Sequence, residues 1–134
     1  MIVVDTSALI AILEEETDAR VYADAIAAAD QPLISAGTLL EVGIVMLTRR
    51  GARAARRVDE LIQEAGFQVE AVTAHQVQAA RAAYAAYGKG LQRAGLNFGD
   101  CFAYALAKVT GLPLLFKGRD FLRTEISAAL RDEA

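Results

Sequence analysis

The sequence holds one cysteine (Cys101), one histidine (His75), two prolines and no tryptophan in 134 residues. A lone cysteine excludes an internal disulfide, and with a lone histidine it excludes a zinc centre of nitrogen and sulfur ligands. Any metal must then be held mainly through oxygen. No apolar run approaches the roughly 18–20 residues that a membrane-spanning helix needs. The early run Ala8–Leu13 follows an acid, Asp5, and lacks the basic leader of a secretory signal. Repeats, low-complexity tails and linkers are also missing. We expect a soluble cytoplasmic protein with no membrane partner, folded as one domain over residues 1–134.

Hydrophobic residues make up 54% of the chain, but 28 of them are alanines, which suits closely packed helices better than a membrane protein. The net charge of −3 conceals an asymmetry. Residues 1–47 carry eight acids and one base, and residues 48–134 carry thirteen bases and nine acids. A mildly acidic total argues against a passive nucleic-acid coat, but not against an enzyme with acids at its centre and bases around them.

Short apolar runs alternate with helical patterns, as in an α/β layer fold. Ile2-Val3-Val4, Leu33-Ile34, Phe67–Ala71 and Pro113–Phe116 are the predicted strands. The third alternates with Gln68 and Glu70 and is placed near an edge; the others are continuous, as in parallel sheets buried on both faces. Thr6 or Ser7 is predicted to cap a helix through Leu13, and Thr17 one that ends near Asp30. Further helices are predicted from Gly37–Thr38 to Arg50, over Ala52–Ala65, from Thr73 to Tyr87 and, capped by Asn97, over Phe98–Val109. A short final element covers Ile126–Leu130, and Gly88–Gly95 is a basic glycine-rich loop.

Four acids carry the functional signal. Asp5 follows the first strand, at the carboxyl edge where open α/β sheets bind ligands, although it would also serve as a helix cap. Glu41 is the only charge in the apolar stretch Leu39–Leu47, and a glutamate is seldom buried without a partner. Asp100 sits in the first turn of an apolar helix, where the dipole alone would favour an acid. Asp120 follows the fourth strand, in a turn that would accept an acid in any case. Parallel topology brings all four to one rim. Four unpaired carboxylates there would repel and raise one another's pKa, and a divalent cation removes the conflict. An all-oxygen site suits Mg²⁺ or Mn²⁺, which activates water and stabilises charge on a phosphoryl oxygen.

With Val3-Val4-Asp5-Thr6-Ser7-Ala8, Glu41, Leu96-Asn97-Phe98-Gly99-Asp100-Cys101 and Leu114–Phe121 in this order, the chain resembles the PIN-domain ribonucleases, specifically the VapC-type toxins of toxin–antitoxin pairs. The resemblance implies a three-layer α/β/α sandwich with a parallel sheet of about four to five strands. It implies a Mg²⁺- or Mn²⁺-dependent endoribonuclease in which Asp5, Glu41, Asp100 and Asp120 are catalytic and Asp5 and Asp100 are the principal metal ligands. Thr6, Ser7 and Asn97 would support them through hydrogen bonds. It also implies a homodimer within a larger complex and a cognate VapB-type antitoxin that blocks the site. Water would attack phosphorus in line, leaving a 5′-phosphate and a 3′-hydroxyl.

Lys89, Arg93, Lys117 and Arg119 are candidates to hold RNA phosphates, because an acidic pocket alone repels a polyanion. Arg49, Arg50, Arg53, Arg56 and Arg57 form the densest basic cluster, although Arg56 and Glu60 would make an ordinary one-turn pair on a solvated face. His75 is placed at the surface, Cys101 in packing, and Tyr84 and Tyr87 in a core or dimer contact. Two other readings compete. A flavodoxin-like phosphoacceptor receiver would have a similar length and a late lysine, but the third strand here ends without an acceptor aspartate. A catalytically inactive module of the PIN fold would not need all four acids.

Overall fold

A computed structural model describes residues 1–88 and 95–130. Four strands form one parallel sheet: β1 (Ile2–Val4), β2 (Pro32–Ser35), β3 (Gln68–Glu70) and β4 (Leu114–Leu115), in the order β3-β2-β1-β4. The register pairs Val3 with Leu33 on one side and with Leu114 on the other. β1 is therefore a central strand: the chain leaves it toward β2 on one side and returns as β4 on the other, which opens a crevice at its carboxyl end. A flavodoxin-like sheet would place β1 between β2 and β3; here β3 lies beyond β2. The receiver reading is thereby excluded.

Successive strand residues point to opposite faces. Val4, Ile34 and Leu115 face one core with Leu9, Val42 and Val58, under α1 (Thr6–Leu13), α2 (Ala19–Ala28), α3 (Ala36–Arg50) and α4 (Ala52–Glu64). Val3, Leu33 and Leu114 face the other with Ala83, Tyr104 and Phe121, under α5 (Ala74–Tyr87) and α6 (Phe98–Thr110). The result is the expected three-layer sandwich. β3 lies at the edge with its first two residues exposed, in keeping with its alternating pattern.

Three local expectations need correction. Asp5 itself, not Thr6 or Ser7, caps α1, because its extended backbone lets the carboxylate reach the Ser7 N–H. α2 begins after Asp18, not after Thr17, and Asp18 makes no capping bond; its carboxylate is taken up by Lys117. The final segment is not a regular element. It bridges β4 instead, with the Leu114 N–H donating to Ser127 O and the Ala129 N–H to Leu114 O.

Candidate active site

Asp5 leaves β1 at the crevice. Its Oδ2 accepts from the Ser7 N–H at 3.0 Å and the Ser7 hydroxyl at 2.7 Å, while Oδ1 is buried without a hydrogen-bond partner. The Lys117 N–H donates to Ser7 Oγ at 2.9 Å, so the exit of β4 braces the serine that braces Asp5. Burial pushes the Asp5 carboxyl up to about 6; the Ser7 hydrogen bonds oppose this and the charge of Glu41 adds to it.

Asp100 occupies the third position of α6, in a reciprocal capping box. Asn97 Oδ1 accepts from the Asp100 N–H at 2.9 Å, and Asp100 Oδ2 accepts from the Asn97 N–H at 3.0 Å. The aspartate thus has the structural role open to it in the sequence and stands beside other acids as well. Burial is the main cause lifting its carboxyl to about 8; the Asn97 bond opposes, and the charge of Asp5 and a hydrogen bond with Asp120 add.

Glu41 is half-buried, and its Oε1 accepts from the Thr6 hydroxyl at 2.5 Å. It also lies against the first turn of α6, where a Cβ on Gly99 would collide with Oε2. Gly99 is a site residue that reasoning from sequence missed. Its signal was a glycine in a helical turn, which is unfavourable by about 1 kcal/mol relative to alanine and so calls for a packing reason. The apolar stretch around Glu41 is not buried all round: Leu40, Ile44 and Leu47 form an exposed stripe on α3. Asp120 is half-buried in the turn after β4, anchored by the fully packed Phe121, whose ring lies 5.1 Å from that of Phe116.

The four acids are thus linked in series, Glu41 acting on Asp5 and both Asp5 and Asp120 on Asp100. Among the described residues, however, no three acidic, histidine or cysteine side chains form a ready-made ion cage. The donor set still fits a hard divalent cation. Mg²⁺ is commonly held by one or two carboxylates with water completing its shell. An unpaired buried carboxylate oxygen on Asp5, next to a second carboxylate that resists ionisation, is the deficit such an ion would satisfy.

Of the basic candidates, Lys117 gives its ammonium to Glu16 at 2.5 Å and Asp18 at 2.9 Å, while Arg119 is exposed. Lys89 and Arg93 lie outside the described residues. The cluster from Arg49 to Arg57 stands where α3 ends and α4 begins, about 14 Å of helix rise from Glu41 to Arg50. His75 is exposed, and the packed Cys101 thiol donates to Asn97 O. Tyr84 lines an apolar groove between α5 and α6, and Tyr87 reaches Glu125.

Residues 2–126 match the family model described as PIN domain. The chain is 54% identical to Ribonuclease VapC28 of Mycobacterium tuberculosis over 129 residues, covering 96% of this chain and 97% of that protein. The chain belongs to the VapC family of PIN domains. A second VapC relative, the Ribonuclease VapC of Mycolicibacterium smegmatis, is 50% identical over 128 residues, covering 94% of this chain and 98% of that protein. Among solved structures, Mycobacterium tuberculosis VapC20, a sarcin–ricin loop cleaving toxin, superposes with a TM-score of 0.79 at 21% identity, covering 98% of this chain and 99% of that one. A toxin–antitoxin complex from Klebsiella pneumoniae gives 0.73 at 18% identity, with the same coverage. At these identities the two structures establish the VapC-type PIN fold alone. No helix among the described residues is long and apolar enough to cross a membrane.

Proposed function

We propose that this VapC-family chain is a metal-dependent endoribonuclease toxin whose catalytic acids are Asp5, Glu41, Asp100 and Asp120. One observation carries the reading: a buried, unpartnered Asp5 oxygen beside two further carboxylates, in a chain half identical to named VapC ribonucleases. Asp5 and Asp100 are the residues to hold Mg²⁺ or Mn²⁺. When bound, the cation lowers the pKa of water and withdraws charge from a phosphoryl oxygen.

The protein's own contribution is positioning. Ser7 fixes Asp5 Oδ2 and leaves Oδ1 available. Asn97 does the same for Asp100 through Oδ2. Thr6 and Gly99 fix the Glu41 carboxylate from two sides. Asp120 stands beside Asp100 and is the group to take a proton from a water that attacks phosphorus in line; the bond to the 3′-oxygen breaks, that oxygen takes a proton from solvent, and a 5′-phosphate and a 3′-hydroxyl result. Each tether comes from the start of a helix, so the acids are held by rigid elements.

A cognate VapB-type antitoxin and a second copy of the chain complete the assembly, in the cytoplasm. The support is exposed apolar surface on three elements. It comprises the α3 stripe of Leu40, Ile44 and Leu47, Phe98 at 78% exposure, and the groove between α5 and α6.

The test is cleavage of total RNA by purified, antitoxin-free protein with Mg²⁺, Mn²⁺ or chelator, beside Asp5→Asn and Asp100→Asn. Discrete metal-dependent fragments, lost in both variants, are expected. Cleavage that survives in both variants would remove the acids from the chemistry.

A further inference from the structure

The acid rim repels the polyanion that it is proposed to cut, so affinity for RNA must come from positive charge elsewhere. At the rim, Lys117 is already committed to Glu16 and Asp18. The densest positive charge lies where α3 meets α4. α3 ends in Arg49 and Arg50, Gly51 turns the chain with φ 88°, and α4 opens with Arg53, Arg56 and Arg57.

This corner differs from an ordinary solvated helix face. Arg53, Arg56 and Arg57 stand at i, i+3 and i+4 and so share one side of α4. Among the described residues none of the three has a carboxylate partner, and Arg56 does not close on Glu60. Their charge also opposes the helix dipole, which favours acids in a first turn where α4 has none. Arg50, by contrast, is pinned, giving Nε and a terminal nitrogen to Glu14 Oε2 at 3.1 and 2.8 Å. A cavity of about 380 Å³ lies between Arg50, Arg53 and Arg57 over Leu13 and Met46; Glu14, which Arg50 neutralises, and Glu15 also line it, and Arg56 stands outside it.

We propose that this α3–α4 arginine corner grips phosphates of the RNA substrate at a distance from the cut, so that productive binding needs RNA reaching well beyond the scissile bond. The inference rests on the ribonuclease reading above. Guanidinium forks match phosphate oxygens in geometry and stay charged at any relevant pH. From Glu41 to Arg50 the helix rises about 14 Å. That is about four nucleotides of a stacked strand at 3.4 Å each, before any detour around the protein. An RNA confined to the acid rim does not reach the corner; a long or folded one does.

The test is fluorescence anisotropy in chelator, where nothing is cut, with labelled random-sequence RNA of about 40 and about 3 nucleotides, the second shorter than that span. Wild type is compared with Arg53→Gln/Arg56→Gln/Arg57→Gln, which leaves the Glu14–Arg50 pair intact, and with the matching triple lysine variant, which keeps the charge. For the long RNA we expect the glutamine variant to bind about tenfold more weakly at 0.1 M salt, with a slope of log affinity against log salt shallower by about 2. The short RNA should bind the two proteins alike, and the lysine variant should keep the slope. With Mg²⁺, the glutamine variant should lose cleavage of total RNA through KM while kcat holds. An unchanged slope for the long RNA in a variant whose circular dichroism is native overturns the proposal, as does equal weakening for both lengths. Intact RNA binding with lost binding of polyglutamate would assign the corner to an acidic protein and overturn it equally. Failure of the ribonuclease reading looks different: wild type cuts no RNA with either metal, whatever the arginines do, and the proposal falls with it.

Discussion

Asp5→Asn should make the metal-free protein more stable at neutral pH. Asp5 is 2% exposed and its carboxyl is pushed from 3.8 to about 6, chiefly by burial. The folded chain therefore keeps this proton to a higher pH than the unfolded chain. The sign follows: stability is full below 3.8 and falls as pH rises through about 6. At pH 7.5 the deficit amounts to about 3 kcal/mol, at 1.36 kcal/mol per pH unit between the two pKa values. At pH 4.5 it is about 1 kcal/mol by the same linkage. Asparagine keeps an acceptor for both Ser7 bonds, but its amide NH₂ takes the place of the unpartnered Oδ1, which costs about 1 kcal/mol. The net gain is then about 2 kcal/mol at pH 7.5 and close to zero at pH 4.5. Relief of Asp100, whose carboxyl is raised in part by Asp5, adds to the gain at neutral pH. Urea melts in chelator, followed by far-ultraviolet circular dichroism at both pH values, measure it. The thermal counterpart is a shift of roughly 6–8 °C at pH 7.5. A difference between the two proteins that is flat with pH would refute the reasoning, because only a titrating Asp5 makes it grow. Added Mn²⁺ should stabilise wild type and leave the variant nearly unmoved.

Gly99→Ala forces a methyl onto Glu41 Oε2, so despite the better helix former it should cost about 1–3 kcal/mol in urea melts. It should also reduce RNA cleavage by at least about tenfold, the effect expected of a displaced supporting group. Thr38→Val removes a fully buried hydroxyl without a partner and should stabilise the protein by about 1 kcal/mol, read as a raised urea midpoint at constant slope. Ser7→Ala breaks the link from the Lys117 N–H to Asp5 and should weaken Mn²⁺ binding by about tenfold in calorimetry, while Thr6→Ala, which frees Glu41, should lower kcat with less effect on metal affinity. Tyr104→Phe removes the bond to Glu125 and should cost about 1 kcal/mol with cleavage largely retained.

Strands were legible because their residues are dictated from both faces. Val3-Val4, Leu33-Ile34 and Leu114-Leu115 each put one side chain into each core, so the run has to be continuous and branched or leucine-rich. Helix ends were legible where glycine or a cap has no substitute: Gly51 and Gly111 end α3 and α6, and Asn97 opens α6. α2 was misplaced by a residue because its start is set by a tertiary partner, Lys117, from the far end of the chain. The acids were visible as charges in apolar surroundings. What holds them was less so. Thr6 reaching Glu41 is a contact across 35 residues, and the Gly99–Glu41 approach depends on how closely α3 and α6 pack. The exposure of Leu40, Ile44 and Leu47 was illegible for another reason. An apolar stripe reads the same whether it faces a core or a partner, and only the packing of α3 distinguishes them.

The acid rim and the α3–α4 corner then divide the work. At the rim Asp5, Glu41 and Asp100 are each positioned by residues that begin a helix, so their geometry follows from the fold and does not depend on the RNA. At the corner Arg49 and Arg50 pair with Glu14, while Arg53, Arg56 and Arg57 have no carboxylate partner among the described residues. Changes there alter the electrostatic grip on a long substrate without touching the carboxylates, and the fold tolerates them because exposed arginines contribute little to stability. A chemistry fixed by topology and a grip set by surface charge can therefore vary independently. On this division, substitutions in the arginine corner should change which RNAs are bound and at what salt, whereas substitutions at the four acids should change whether any RNA is cut.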